Sequence, residues 1–235
     1  MKKMTMMQHF AELRRRILWT FVVFLCAMIF GWCVSPVVQD FLTAPLIDIW
    51  PGGAFLYAGL TDGLMIGLSL AFAVALCITI PVALWHVWAY VSPGLKQNEQ
   101  HFIFPILILS PILFVIGAAF AFYVLLPFVF RFFIELNESA PVPSVMLPVA
   151  RDYLMFSIGL LRVFGVAFQL PLVMLLLNRL GVLSRNVAVK MRRYAIVVIV
   201  IAAAVLTPPD IVSQLLLALP MWALFELSIL FMRRD

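Results

Sequence analysis

This sequence is short of charge. Of 235 residues only 11% are Asp, Glu, Lys or Arg, against 65% hydrophobic, and the mean hydropathy is +1.13. A water-soluble domain keeps roughly a quarter of its residues charged so that its surface stays solvated. That shortage excludes a soluble globule and leaves lipid as the solvent for much of the surface. Acid is scarcer than base, 11 residues against 16, for a formal net charge of +5. The bases cluster at the ends of apolar runs, which suits anionic headgroups and membrane orientation and not nucleic acid. Cysteine is scarce too. Cys26, Cys33 and Cys77 are odd in number and sit inside apolar runs, so packing is expected of them rather than a disulfide framework.

The vocabulary of catalysis is missing as well. There is no HExxH, GxSxG or P-loop, and His9, His86 and His101 stand at no metal-ligand spacing from Cys, Asp or Glu. No enzyme activity, metal or cofactor is expected.

What the chain has is apolar runs, six of them: Ile17–Val38, Leu64–Val91, Phe102–Ile134, Tyr153–Leu177, Tyr194–Leu206 and Ile211–Met232. A spanning helix needs roughly 20 apolar residues to cross a hydrocarbon core about 30 Å thick. The first run follows Arg14, Arg15 and Arg16 but has no small-x-small cleavage site close behind it, so it reads as a first span and not a signal peptide. The third carries Pro105, Pro111 and Pro127 and is expected to kink. The fifth offers only thirteen apolar residues, and the sixth is expected to be broken at Pro220 and Glu226. Thr207-Pro208-Pro209-Asp210 makes a tight turn between these two, and the short hairpin is expected to thin the bilayer locally.

Thirteen Lys and Arg lie in the N-terminal head, the segments 92–101 and 178–193 and the tail, against only Arg131 and Arg151 on the opposite side. By the positive-inside rule both termini are expected in the cytoplasm. The expected organisation is one all-α domain over 1–235 with a cytoplasmic head at 1–16 and periplasmic caps at 35–63 and 135–152. No internal repeat is visible, which weakens the alternative of a proton-coupled secondary transporter.

Ionisable groups in or near spans are costly, so each is a candidate site. In the head, Phe10, Leu13 and Ile17 form an apolar stripe while His9, Glu12 and Arg16 form a polar one, as in an interfacial helix. Glu12 and Arg16 also suit a plain i,i+4 pair. Glu99 falls in the first turn of the helix after Ser92-Pro93-Gly94, where complementing the helix dipole is a sufficient role. Arg162 and Gln169, seven apart, are expected on one face of span four. Gln169 suits a helix–helix hydrogen bond and Arg162 a snorkelling path to the interface. Asp210 suits a cap for span six, and Glu226 a pairing with a basic loop.

In order along the chain stand His9-Phe10-Ala11-Glu12-Leu13-Arg14-Arg15-Arg16, Ala44-Pro45-Leu46, Val87 to Leu95 with Glu99, Phe164 to Pro171, Leu206 to Asp210, and Leu224-Phe225-Glu226. On six spans with the N-terminus inside, these segments resemble TatC, the multispanning receptor subunit of the twin-arginine protein translocase, nearly end to end. The resemblance implies a concave, glove-like bundle with short fifth and sixth helices in a bacterial inner membrane. It implies a receptor for twin-arginine signal peptides on folded cargo, driven by the proton motive force. Glu12 and Glu99 match the family's recognition carboxylates, with Arg14, His9 and Tyr90 expected around them. An arginine fork suits two-point carboxylate contacts where lysine is a point charge. Gln169, Arg162, Asp210 and Glu226 are the expected intramembrane polar and partner-binding positions, and Pro45, Pro93, Pro208 and Pro209 the structural ones. TatA- and TatB-type single-span proteins along spans five and six, further copies of the chain and membrane lipid are the implied partners. One departure stands out. TatC proteins commonly carry Glu where this chain has Gln169, which cannot take up a proton.

Overall fold

The computed structural model describes residues 6–49, 54–91, 97–139, 147–206 and 211–232. Within these, the side chains of residues 6, 8, 9, 84, 88, 91, 97–107, 206 and 213 lie outside the description, as do Pro93, Pro208, Pro209 and Asp210 entirely. The helices are α1 (Met6–Ile49), α2 (Asp62–Val91), α3 (Gln97–Phe120), α4 (Leu126–Glu138), α5 (Ala150–Ala167), α6 (Leu170–Arg179), α7 (Arg185–Lys190), α8 (Arg192–Leu206) and α9 (Ile211–Phe231). Among the described residues the only β-pairing is an isolated bridge between Leu56 and Val149. Among the described residues five stretches are long and apolar enough to cross a membrane: Phe10–Ile49, Asp62–Val87, Ile108–Glu138, Ala150–Arg179 and Gln214–Phe231. Helix α8, with 15 residues, falls short of that length, as its thirteen-residue apolar run foreshadows.

Helix α1 runs further than its apolar run implies. The segment expected to leave the helix at Ser35 stays helical to Ile49, through Pro36 and Pro45. Pro36 has no N–H for the carbonyl four residues back, Trp32 O. The hydroxyl of the preceding residue fills the gap, Ser35 Oγ donating to Trp32 O at 2.9 Å. Helix α9 likewise passes through Pro220 and Glu226 without the expected break. Leu217, Ala218, Phe225 and Ile229 bury one of its faces, so packing holds the helix where one backbone bond is missing.

The third run passes through Pro105 and Pro111 within one helix and departs from α-helical geometry only just before Pro127. A π-helical turn, Ala121–Leu125, joins α3 to α4, with Leu126 N–H donating to Ala121 O just before Pro127. The fourth run breaks in the middle: α5 ends at Ala167, Phe168 and Gln169 form a turn, and α6 starts with Pro171 in its first turn. Pro171 cannot donate to Ala167 O, so the ladder is re-made by Gln169 N–H to Val166 O at 2.9 Å and Val173 N–H to Gln169 O at 2.9 Å. Arg162 and Gln169 therefore do not share one unbroken helical face. Helix α6 ends in a Schellman motif, Val182 N–H to Leu177 O at 3.0 Å, with Gly181 at φ 72° where a side chain would be strained.

The chain forms two compact units. The first comprises α1 up to Phe41 together with Tyr57–Pro111. Ala27, Gly31 and Ser35, four apart, make a buried small-residue stripe on α1, and Ile66, Leu70, Ala71 and Ala75 make the buried face of α2. A methyl on Gly31 would stand 2.7 Å from Ala71 O, so the two backbones meet there directly. Phe24 and Phe72 pack edge to face at 5.7 Å.

The second unit holds Leu42–Leu56 and the chain from Ile112 onward. The end of α1 is stapled to the start of α5: Tyr153 Oη donates to Leu42 O at 2.8 Å while its ring stacks on Phe130 at 4.8 Å. Leu56 N–H donates to Pro148 O at 3.0 Å and Ala150 N–H to Leu56 O at 2.9 Å. Half-buried Pro45 lies between Leu42 and Leu46, both core residues of this staple. Helices α3 and α5 also approach closely, since a methyl on Gly117 would collide with Phe164 O.

Candidate functional site

A cluster of polar residues stands at one end of the α1–α2 pair, where α1 begins and α2 ends. On α1 a four-residue step brings Glu12, Arg16 and Thr20 to one side; on α2 the same step brings His86 and Tyr90 to the other. Arg16 joins them. Its Nε donates to Glu12 Oε1 at 3.0 Å and its Nη2 to the same oxygen at 2.5 Å, while Nη2 also reaches Ala89 O on α2 at 3.2 Å. One turn further, Thr20 Oγ1 donates to Arg16 O at 2.9 Å and lies 2.7 Å from His86 Nδ1. The Thr20 hydroxyl thus links the α1 backbone to the His86 ring on α2.

Two recesses meet at Arg16 and His86. One, about 330 Å³, is lined by Glu12, Arg15, Arg16, Trp19 and His86. The other, about 410 Å³, has walls of Leu13, Ile17, Phe21, Phe24, Ala83 and Val87, with Thr20, Thr79, Arg16, His86 and Tyr90 among them. The side chains of Glu12 and Arg16 are only 22% and 24% exposed, so their charges are partly withdrawn from water. Glu12 Oε1 takes both hydrogen bonds from Arg16, and among the described residues Oε2 takes none. A half-desolvated carboxylate with a lone-pair face open to a recess is chemically equipped to take a second guanidinium.

Of the residues expected around this site, Glu12 and Tyr90 are gathered with Arg16 and His86. Arg14 is not: it lines a groove on another flank of α1, about 410 Å³, with Ala11, Arg15, Leu18, Trp19 and Val22, which adjoins the Glu12 recess at Arg15 and Trp19. Glu99 lies in the first turn of α3 and His9 in α1, their side chains outside the described residues. Sequence reading missed the Thr20–His86 link and the reach of Arg16 to α2. The signal for both was present as polar residues at four-residue spacing on two helices, but nothing in the sequence says that these faces meet.

The intramembrane polar set is dispersed. Half-buried Gln169 sits at the α5–α6 break, and half-buried Arg162 lies on α5 with its Nε enclosed. Glu226 on α9 accepts from Arg192 at 2.7 Å, and Arg185 Nε donates to Ile229 O at 3.2 Å. Among the described residues no cluster of His, Cys, Asp and Glu could hold a metal.

Comparison with known proteins gives one answer. Residues 8–220 match the profile of the family described as Sec-independent protein translocase protein (TatC). The protein of that name from Desulforapulum autotrophicum is 33% identical over 224 residues, covering 95% of this chain and 82% of the relative. The one from Escherichia coli K12 is 36% identical over 230 residues, covering 96% and 86%. A crystal structure of the twin-arginine translocase receptor TatC superimposes with a TM-score of 0.83 at 30% identity, over 94% of this chain and 96% of that one. With the fold, the family profile and the order of motifs in agreement, this chain belongs to the TatC family of Sec-independent protein translocase proteins.

Proposed function

We propose that this chain is the signal-peptide receptor and core subunit of a twin-arginine translocase. It takes the paired arginines of a signal peptide at the cytoplasmic ends of α1 and α2, for export of folded cargo across the inner membrane under the proton motive force. The observation that carries the reading is Glu12, half-desolvated, already holding one guanidinium and open to a recess on its other side. Charge-assisted bonds to a carboxylate contribute about 1.5–3 kcal/mol each, and the planar fork gives Arg the advantage over Lys. The adjoining apolar recess suits an apolar stretch following the arginines. Glu99 is the second carboxylate in this reading, with His9 and Tyr90 around the pair, while Arg14 stands on another flank of α1.

The topology proposed is six crossings with both termini in the cytoplasm, supported by the thirteen-to-two distribution of bases. Helix α8 is then the short fifth crossing, about 22 Å at 1.5 Å per residue. Its exposed Ile196, Val197, Val198, Ile201 and Val205 supply an apolar face for TatA- and TatB-type single-span partners, and self-association completes the assembly. Gln169, at the α5–α6 break, acts there by hydrogen bonding, and Arg162, Asp210 and Glu226 complete the polar partner-facing set.

The test is complementation. A deletion strain expressing this chain should export a folded reporter behind an Arg-Arg signal and not behind Lys-Lys. Glu12→Ala and Glu99→Ala should each abolish crosslinking of the Arg-Arg signal at unchanged membrane level. Full crosslinking in both variants would refute the site, and Gln169→Ala with unaltered export would refute the role of Gln169.

A further inference from the structure

The groove that holds Arg14 borders the Glu12 recess at Arg15 and Trp19 but contains neither Glu12 nor Arg16, and its chemistry is different. Among the described residues no carboxylate pairs with Arg14 or Arg15, because the carboxylate nearest in sequence, Glu12, is engaged by Arg16 on another face. Two guanidinium groups therefore face outward side by side from one turn of α1. Below them at helical spacing run Leu18 and Val22, both exposed, and exposed Trp19 follows Arg15 by one turn. The recess of about 410 Å³ is thus cationic at one end and apolar at the other, with an amphipathic ring between.

We propose that this recess binds one anionic glycerophospholipid of the cytoplasmic leaflet. Its phosphodiester sits between Arg14 and Arg15, its glycerol backbone against Trp19, and an acyl chain lies along Leu18 and Val22. Charge complementarity selects this occupant. A phosphate oxygen pair matches the arginine fork, and anionic lipid concentrates at basic juxtamembrane clusters by about 1 kcal/mol for each Lys or Arg. A soluble anion would leave Leu18, Trp19 and Val22 exposed, and a zwitterionic lipid would bring its own ammonium beside the two guanidinium groups and leave their net charge uncompensated. The site goes beyond signal recognition and does not depend on it: it needs only that α1 crosses the membrane with Arg14 and Arg15 at the interface.

Native mass spectrometry of the full chain, released from nanodiscs of equal phosphatidylglycerol and phosphatidylcholine, tests the proposal. Wild type should retain one phosphatidylglycerol in preference to phosphatidylcholine. Arg14→Gln with Arg15→Gln should reduce that preference at least fivefold. Arg192→Gln with Arg193→Gln, at a different basic cluster, should leave it unchanged. Val22→Trp keeps both arginines and fills the apolar end, so it should lower retention of the lipid even if the double Gln variant fails to fold. Wild-type preference in Val22→Trp, or in a folded Arg14→Gln, Arg15→Gln protein, overturns the site. Equal loss in the Arg192, Arg193 variant overturns it too, by showing that any basic cluster suffices.

Discussion

Replacing Gly31 with alanine is the sharpest probe of how α1 meets α2. The added methyl would lie 2.7 Å from Ala71 O, 3.0 Å from Ala71 Cα and 3.2 Å from Ala71 C, all backbone atoms that no rotamer change can move. A carbon approaches a carbonyl oxygen to about 3.3 Å at the closest in ordinary packing, so the helices must separate by roughly 0.6 Å. Overpacking of that kind costs about 1–3 kcal/mol. Against it, Gly→Ala in a helix gains up to about 1 kcal/mol in propensity, which obscures the net value. Gly63, on α2 of the same unit, removes most of that ambiguity, because a methyl there meets nothing within 4 Å. The expected result is a gap of about 1–3 kcal/mol between Gly31→Ala and Gly63→Ala, the former less stable. At about 3 °C per kcal/mol for a chain of this size, the gap in thermal unfolding in detergent is about 3–9 °C. Signal-peptide crosslinking should survive in Gly31→Ala below its melting point, since Glu12 and Arg16 lie at least 15 residues away along α1, about 22 Å. Equal stability of the two variants would refute the direct backbone contact. Loss of crosslinking in a folded Gly31→Ala protein would refute the independence of the site from the helix crossing.

Three further outcomes are expected. Ser35→Ala should destabilise by about 1–2 kcal/mol, because Trp32 O loses the hydroxyl that replaces the missing N–H of Pro36. The loss should shrink in a Pro36→Ala background, which supplies a backbone donor, and a double-mutant cycle with no coupling would contradict this. Tyr153→Phe should cost about 1 kcal/mol through its bond to Leu42 O while keeping the stack on Phe130, measured by the same unfolding assay. Arg192→Ala should change stability by less than about 1 kcal/mol, since the ion pair with Glu226 leaves the two side chains 46% and 27% exposed; a larger loss would mean that the pair is screened far less than its exposure implies.

Much of the fold was legible because a bilayer imposes simple arithmetic. Long apolar runs must become helices, since no water is present to satisfy an open backbone. The third run takes a π-helical turn just before Pro127, and the fifth is short, as its thirteen apolar residues demand. Prolines were the weak point. Pro36, Pro45 and Pro220 resemble stops in sequence yet lie inside α1 and α9, while Pro171 does interrupt its run. The difference lies in what replaces the lost hydrogen bond and what the flanking faces pack against. Ser35 supplies a donor for Trp32 O, and the buried face of α9 holds Pro220, whereas the chain around Gln169 re-makes its bonds as a turn.

For the site, the sequence determined which groups stand on α1: Glu12, Arg16 and Thr20 follow one another at helical spacing whatever the helix packs against. Its basic clusters determined the orientation proposed for the spans, because charge does not cross lipid cheaply. Tertiary structure alone decided that α2 would bring His86 and Ala89 O to Thr20 and Arg16. That Arg14 stands on another flank of α1 from Glu12 follows from helical periodicity, since every residue around it belongs to α1. The physical reason is that helical periodicity fixes the face on which a side chain stands, whereas its partner depends on where two backbones fit closely enough to touch. Here that fit is set at Gly31 and Ala71, a contact between groups too small to leave a mark in charge or hydropathy.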